Sequence, residues 1–353
     1  MSGALRVGLI GYGFASQVFH APLIGSTPGL DLVAVGSSDA AKVRAALGPA
    51  VAVEATPEAL IARHDLDLVV IPTPNDSHHP LARAALLAGH HVLVDKPFTL
   101  DAAQATDLIG LAQTQGRLLS VFHNRRWDGD FLTAQALLRA GTLGRLRHAA
   151  FHFDRFRPTV RDRWREGDGP GAGMWLDLGA HLIDQALQLF GPPVAIQADI
   201  ATLRDGGRGD DWFQAHLRYA DGLRLTLSAS TVCALPGPRF ALHGTLGSYV
   251  KSGLDAQEDA LKAGLRPDPA SPEAWGHDPQ AGQLVTAVAP GEQETQSQPW
   301  TTRRGDYPAF YAALREALLG RGPNPVPATE ALAVMQVLDL GRRSAAERRE
   351  LAV

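Results

Sequence analysis

The stretch Arg6-Val7-Gly8-Leu9-Ile10-Gly11-Tyr12-Gly13-Phe14-Ala15-Ser16 decides the fold. It reads as a short apolar strand, a glycine turn and the opening of a helix. Gly11 permits a tight turn, and Gly13 lets backbone approach a ligand where a Cβ would obstruct. The helix that follows offers unpaired N–H groups and a partial positive charge, which suits a pyrophosphate. Gly11, Gly13, Phe14 and Ala15 are the candidate contacts. Ser16 stands where the dinucleotide fingerprint prefers Gly or Ala, a small departure that still allows close helix–strand packing. A glycine turn alone carries little weight. Here a second strand, Leu32-Val33-Ala34-Val35, follows at βαβ distance and gives it weight.

Composition narrows the partners. The chain has 353 residues, enough for two domains. A net charge of −4 with no long basic run argues against nucleic acid and anionic membrane. The lone Cys233 cannot form an intrachain disulfide and reads as a buried thiol. The N-terminus runs into a strand with no signal-peptide pattern, and no apolar run approaches spanning length. A cytoplasmic, reducing compartment is expected.

The second strand ends at Ser37 and Ser38, where an NAD-binding fold usually carries an acid for the ribose diol. Losing that acid removes repulsion against a 2′-phosphate, and hydroxyls can donate to one. Asp39 follows and suits an N-cap for a helix from Ala40 to Leu47. Lys42 and Arg44 read either as phosphate partners or as solvated helix charges. The next buried strand, Leu66–Ile71, leads into Pro72-Thr73-Pro74-Asn75-Asp76-Ser77-His78-His79-Pro80. Asn75, Asp76 and Ser77 can each cap the helix Leu81–Ala88, yet the same turn lies at the carboxyl edge of the sheet, where open α/β sheets bind ligands. The strand His91–Val94 ends in Asp95-Lys96-Pro97, which puts a lysine at that edge too. The pairs His78-His79 and His90-His91 lack a clear ligand set, so no metal is expected.

These residues carry a resemblance. Gly11-Tyr12-Gly13-Phe14-Ala15-Ser16, Phe19-His20-Ala21-Pro22-Leu23-Ile24, Thr73-Pro74-Asn75 with His78, and Asp95-Lys96-Pro97 together resemble the glucose–fructose oxidoreductase / inositol dehydrogenase family (Gfo/Idh/MocA). The family's usual Glu-Lys-Pro appears as Asp-Lys-Pro, with the lysine kept. The resemblance implies that Thr73, Pro74, Asn75, His78, Asp95 and Lys96 serve the cofactor site.

In the second half, a strand from Arg117 to Phe122 leads to a domain boundary at His123/Asn124. Asp128 can cap a helix from Phe131 to Ala140, and a strand covers Phe151–Arg157. Glycines at Gly171 and Gly173 then lead into a helix that runs to Phe190 and stops at Gly191. Trp175, Leu178, Leu182, Ala186 and Leu189 form its apolar stripe. Asp177 and His181, four apart, share another face. Asp184 and Gln188 extend that face, so it reads equally as a solvated polar surface. Inositol-dehydrogenase-like proteins carry Asp-x-Gly-x-His here, and Asp177, Gly179 and His181 match it. Alternation of Leu223, Leu225, Leu227 and Ala229 with Arg224, Thr226, Ser228 and Ser230 marks a sheet with one packed face. Arg239–Gly244 and Gly247–Lys251 continue it. Residues 253–300 read as long loops with short helical turns, and two helices, Pro308–Leu319 and Ala328–Arg343, close the chain.

The fold class expected is α/β. A Rossmann domain over 1–123 precedes a domain over 124–353, α+β with a large, mostly antiparallel open sheet, for substrate binding and oligomerisation. Phe153-Asp154-Arg155-Phe156-Arg157-Pro158 with Asp162-Arg163-Trp164-Arg165-Glu166, and His243-Gly244-Thr245 with Gly247-Ser248, look like the branch with NADP-dependent scyllo-inositol dehydrogenases. By that resemblance Asn124, Trp164 and Arg165 reach the cofactor. The resemblance implies an NADP-dependent oxidoreductase, with NAD possible, acting on a secondary alcohol or ketone of a cyclic polyol or sugar, with Lys96, Asp177 and His181 catalytic. It also implies a homodimer or homotetramer. The rivals are an NAD-retaining glycosidase of the same fold and a non-catalytic dinucleotide sensor.

Overall fold

The computed structural model describes residues 3–353. The chain divides into two compact units. The first runs through Asn124 and takes back Gln257–Trp275 and Asp306–Ala333; the second holds Arg125–Ala256, Gly276–Gly305 and Val334–Val353. The first change of unit falls one residue past the expected boundary. The two returning segments mean that 124–353 is not one continuous domain.

The first unit is built on six parallel strands: β1 (Leu5–Ile10), β2 (Leu30–Gly36), β3 (Ala52–Glu54), β4 (Leu68–Ile71), β5 (His91–Asp95) and β6 (Leu119–Phe122). Their order is β3-β2-β1-β4-β5-β6. Strand order reverses between β1 and β4, which places a crevice at their carboxyl ends. β4 and β6 are buried along their whole length, as an apolar strand with both faces covered should be. A π turn (Ser16–His20) runs into α1 (Ala21–Gly25), followed by α2 (Ala40–Leu47), α3 (Pro57–Ile61), α4 (His78–Leu87) and α5 (Ala102–Thr114). The Asp39 side chain accepts from Lys42 N at 3.0 Å, so the expected cap on α2 is in place. α4 differs: it starts at His78, after a 3₁₀ turn (Asn75–Ser77), with no side-chain cap. Ser77 Oγ turns back instead to Thr73 Oγ1 and Pro74 O, both at 2.6 Å.

The second unit carries α6 (Gly129–Arg139) and α7 (Ala180–Phe190), the latter continuing a π turn (Trp175–Gly179). Its nine strands are β7 (Leu146–His152), β8 (Ala195–Ala201), β9 (Trp212–Arg218), β10 (Arg224–Ser230), β11 (Phe240–Gly244), β12 (Gly247–Lys251), β13 (Gly282–Ala287), β14 (Thr295–Trp300) and β15 (Leu351–Ala352). The order is β14-β13-β12-β11-β7-β10-β9-β8-β15. All pairs are antiparallel except β7 with β10. On β10, Leu225, Leu227 and Ala229 are buried while Arg224 is exposed, as the alternation predicts up to Ser228; Ser230, expected on the accessible face, is buried.

Three local expectations fail here. β7 ends at His152, and residues 153–157 leave the regular ladder, although the N–H groups of Phe153 and Arg155 still donate to Ser228 O and Ser230 O. Asp128 does not cap α6; its carboxylate pairs with Arg125 at 3.2 Å. The stretch read as loops contains the hairpin β13–β14. β14 is polar, exposed and holds Pro299, which disguises an edge strand as loop.

The returning segments supply α8 (Gln257–Lys262), α9 (Tyr307–Leu318) and the start of α10 (Ala328–Glu347), whose later part belongs to the second unit. In the second unit Trp175 is the largest wholly buried side chain. Its Nε1 donates to Leu338 O at 3.0 Å and its ring meets Phe213 edge-on. Gly179 and Gly341 flank the ring, and a Cβ on Gly341 would lie 2.2 Å from it. Indole and helix backbone thus pack closer than any larger residue would allow. No helix among the described residues is long and apolar enough to cross a membrane.

Candidate active site

The glycine turn is braced from beneath. Gly11 has φ +82°, a left-handed conformation that costs other residues roughly 1–2 kcal/mol. Its N–H donates to Gly36 O at 2.7 Å, which ties the end of β1 to the end of β2. Ser16 Oγ donates to Gly11 O at 2.9 Å, and Gln17 Nε2 donates to Tyr12 O and Gly13 O at 2.9 and 3.1 Å. Ser16, the departure from the fingerprint, is wholly buried and serves as a strut. Gly13 and Phe14 lie exposed and Ala15 is half-buried. A Cβ at Gly13 would meet no protein atom within 4 Å, so the space above the turn is open to a ligand.

Beside this turn lies a cavity of about 350 Å³, lined among others by Gly11, Ser37, Ser38, Lys42 and Thr73. Of the expected cofactor residues, Gly11, Ser37, Ser38 and Thr73 gather round this space, while Gly13, Phe14, Ala15, Pro74, Asn75 and His78 are not among its lining. Asp39 also borders it, but its carboxylate is engaged at the start of α2 and its N–H donates to Ser37 Oγ at 3.1 Å. Open glycine backbone, hydroxyls and a lysine fit a dinucleotide's phosphate and ribose groups. No group of His, Cys, Asp or Glu among the described residues is placed to hold a metal ion.

The turn after β4 and the loop after β5 are joined by His78. It is wholly buried, with Nδ1 2.8 Å from Pro97 O and Nε2 2.9 Å from Thr73 O. Both partners are carbonyls, so the ring serves both only with a proton on each nitrogen. His78 is thus a brace, a role that its expected place among cofactor contacts did not anticipate. Asn75 is buried beside it. Lys96, half-buried, follows β5 directly, and its N–H donates to Asp95 Oδ1 at 2.8 Å. Burial alone would raise the Asp95 carboxyl, but His20, Lys96 and His78 outweigh it and hold it below the usual range. Asn124 is buried in the 3₁₀ turn (Asn124–Trp127) that follows β6.

In the second unit, Gly173 (φ +97°) turns the chain into the π turn, where Trp175 N donates to Asp210 Oδ2 at 2.6 Å. A π turn adds a residue to the helical circuit and recurs at functional sites. Both motif-bearing helices of this chain open with one. Asp177 is half-buried, with Oδ1 3.8 Å from Arg165 Nε. Arg165 lies over the Trp164 ring, its Cζ 4.4 Å from the centroid, and Trp164 is 36% exposed. His181 is buried, its ring stacked 6.5 Å from Phe153. Arg125, Arg155 and Arg239 surround the same Phe153 ring at 4.8, 5.0 and 5.4 Å.

The polar face of α7 is therefore not a solvated one. Asp184 is buried and makes a two-pronged pair with Arg126, the shortest contact 2.6 Å. Gln185 Nε2 donates to Arg125 O at 3.0 Å and Gln185 Oε1 accepts from Arg239 at 2.5 Å. Gln188 alone of the four expected polar positions is exposed. Sequence reasoning missed Arg126, Gln185 and Arg239, and read Asp184 only as part of a polar helix face. The only signal was Asp184 three residues after His181, on the same face.

The Arg-rich loop is pinned by Glu166. Its carboxylate accepts from Arg161 N and Nε, from Arg163 Nε and from Arg204 Nη1, at 2.6–3.0 Å. Burial works against its ionisation, but these bonds outweigh it and bring the carboxyl down to about 2 from an ordinary 4.5. A carboxyl held below its unfolded value contributes stability above pH 4.5 that is lost as pH falls towards about 2. Glu166→Gln should therefore lose less stability than the unaltered protein between pH 4.5 and 2, measured by urea unfolding. Equal losses in both proteins would show that Glu166 does not carry this dependence.

Known proteins match this chain. An oxidoreductase family with an NAD-binding Rossmann fold matches residues 5–123, and the GFO/IDH/MocA C-terminal domain matches residues 131–250. The chain is 52% identical over 353 residues to the uncharacterized oxidoreductase YdgJ of Escherichia coli (strain K12), covering 100% of both. It is 33% identical over 348 residues to the scyllo-inositol 2-dehydrogenase (NADP(+)) IolW of Bacillus subtilis (strain 168), covering 98% of this chain and 95% of that one. The solved structure of the YPO2259 protein from Yersinia pestis matches with a TM-score of 0.93 at 49% identity, covering 100% of this chain and 98% of that one. The chain accordingly belongs to the Gfo/Idh/MocA family and is an oxidoreductase with an NAD-binding Rossmann domain.

Proposed function

We propose that this oxidoreductase acts on a secondary alcohol, or the matching ketone, of a cyclic polyol or sugar of the inositol kind, and that it accepts NADP at least as well as NAD. The observation that carries the first part is the buried His181 on α7, four residues after Asp177 in the π turn; Lys96, directly after β5 in the other unit, is the second candidate group. The name of the relative IolW supports both the polyol and NADP. A cytoplasmic location, where dinucleotide pools are available, accords with this reading.

Bound NAD(P) supplies the group that takes or gives hydride at carbon. The protein must then move a proton at the alcohol oxygen. We assign the base to His181, because an imidazole titrates near neutral pH without special help. Asp177 orients that imidazole or a neighbouring substrate hydroxyl. Lys96 stabilises developing alkoxide charge. Removing Lys96 or His181 should lower turnover roughly 10²–10⁴-fold while NADPH affinity persists. The measurement is turnover and NADPH titration of Lys96→Ala and His181→Ala, with polyols screened by NADPH absorbance. Near-normal turnover in both variants would sink the assignment. Release of a sugar aglycone without net change in dinucleotide would instead favour a glycosidase.

The cofactor preference rests on Ser37, Ser38 and Lys42 around the cavity, with Asp39 occupied as a cap. Ser37→Asp places a carboxylate where a 2′-phosphate would sit, so preference should move towards NAD. A strong NAD preference in the unaltered protein would overturn this reading of the strand end.

We also propose self-association as a dimer or tetramer through the polar face of β10, where Arg224, Thr226 and Ser228 are accessible or partly so and Ser230, expected with them, is buried. Light scattering at micromolar concentration tests it, and a monomer throughout would remove it.

A further inference from the structure

We infer that His20 and Tyr311 form a buried positioning couple that holds the Asp95 carboxylate, and through it the backbone of Lys96, in working geometry. This rests on the role proposed for Lys96. His20 closes the π turn that follows the glycine loop, and Tyr311 lies on α9, far along the chain. Both are wholly buried. His20 Nδ1 is 2.7 Å from Tyr311 Oη, and His20 Nε2 faces Asp95 Oδ2 at 3.8 Å. The other Asp95 oxygen accepts from Lys96 N. The groups form one line: Tyr311, His20, Asp95, Lys96.

The proton positions follow from chemistry. Burial, and then the charge of Asp95, push the Tyr311 hydroxyl well above its ordinary range, so it keeps its proton and can donate to Nδ1. A neutral imidazole that accepts at Nδ1 carries its hydrogen on Nε2, pointing at the carboxylate. At 3.8 Å this is a charge–dipole contact longer than a hydrogen bond. No hydrogen-bond partner satisfies Nε2 otherwise. The surrounding wall is apolar: the Phe122 ring lies 4.5 Å from His20 and 5.9 Å from Tyr311, and Phe310 lies 5.3 Å from Tyr311. A polar pair inside such a wall is costly unless its partners are fixed. Packing alone would be met by Leu and Phe. The groups facing Asp95 are His20 from the π turn, Tyr311 from α9, His78 from α4 and Lys96 from its own loop.

The test uses the full chain in four variants: Tyr311→Phe, His20→Gln, which keeps an N–H near the Nε2 position, His20→Ala, and His20→Ala with Asp95→Asn. With a turned-over polyol, Tyr311→Phe and His20→Ala should lose about 10–100-fold in kcat, the scale of a misplaced group. KM and NADPH affinity should stay within about twofold, and His20→Gln should recover most of kcat. A second arm needs no substrate. Without His20, burial weighs more heavily against the ionised Asp95 carboxyl, so the melting-temperature deficit of His20→Ala should widen as pH rises from about 4 to about 7. Adding Asp95→Asn should remove that widening. Wild-type kcat in Tyr311→Phe and His20→Ala, or a deficit that does not change with pH, overturns the couple. Absence of any polyol turnover in the unaltered protein counts against the proposed function only, and the melting-temperature arm then decides the couple.

Discussion

The left-handed backbone at Gly11 is the constraint on which the rest of the first unit depends. It lets β1 end abruptly, and the bond from Gly11 N to Gly36 O fixes the height of that turn against β2. Ser16 and Gln17 then hold the turn's carbonyls from the helix side. Turn, strand end and first helical turn become one rigid piece. Because the strands are parallel and their order reverses between β1 and β4, Ser37, Thr73 and Lys96 all emerge at the same carboxyl edge. The candidate cofactor residues are placed by topology first and by their side chains second.

The second unit solves a different problem. It buries three ion pairs: Arg126 with Asp184, Arg239 with Asp130, Lys251 with Asp278. Such pairs contribute little net stability, because desolvation offsets most of the attraction, but removing one partner leaves a costly unpaired charge. They act as geometric pins. Arg125 and Arg239 both border Phe153 and both touch Gln185, one turn beyond His181. The imidazole sits on a helix whose polar side is locked rather than solvated.

Several features were legible in the residues themselves. Asp39 caps α2, Gly191 (φ +72°) ends α7, and β4, β5 and β10 lie within a residue or two of their apolar or alternating runs. These depend on interactions within a few residues, such as side-chain period, a cap or a positive φ, and local chemistry is written locally. The dinucleotide turn belongs to the same class.

Other features needed partners that no local pattern names. Ser77 and Asp128 look like caps, yet Ser77 finds Thr73 and Asp128 finds Arg125. The polar edge strand β14 has no periodic signal and exists because β13 offers it a ladder. Asp184 reads as a surface residue until Arg126 is brought against it, and His20 as one of several motif residues until Tyr311 arrives on a returning helix. A polar side chain is buried only when a complementary group is delivered to it, and delivery is decided by the path of the chain in three dimensions. The sequence by itself determined the dinucleotide turn, the strand periods and the identity of the candidate acid–base residues; the tertiary structure alone decided which polar groups became pins and braces around them.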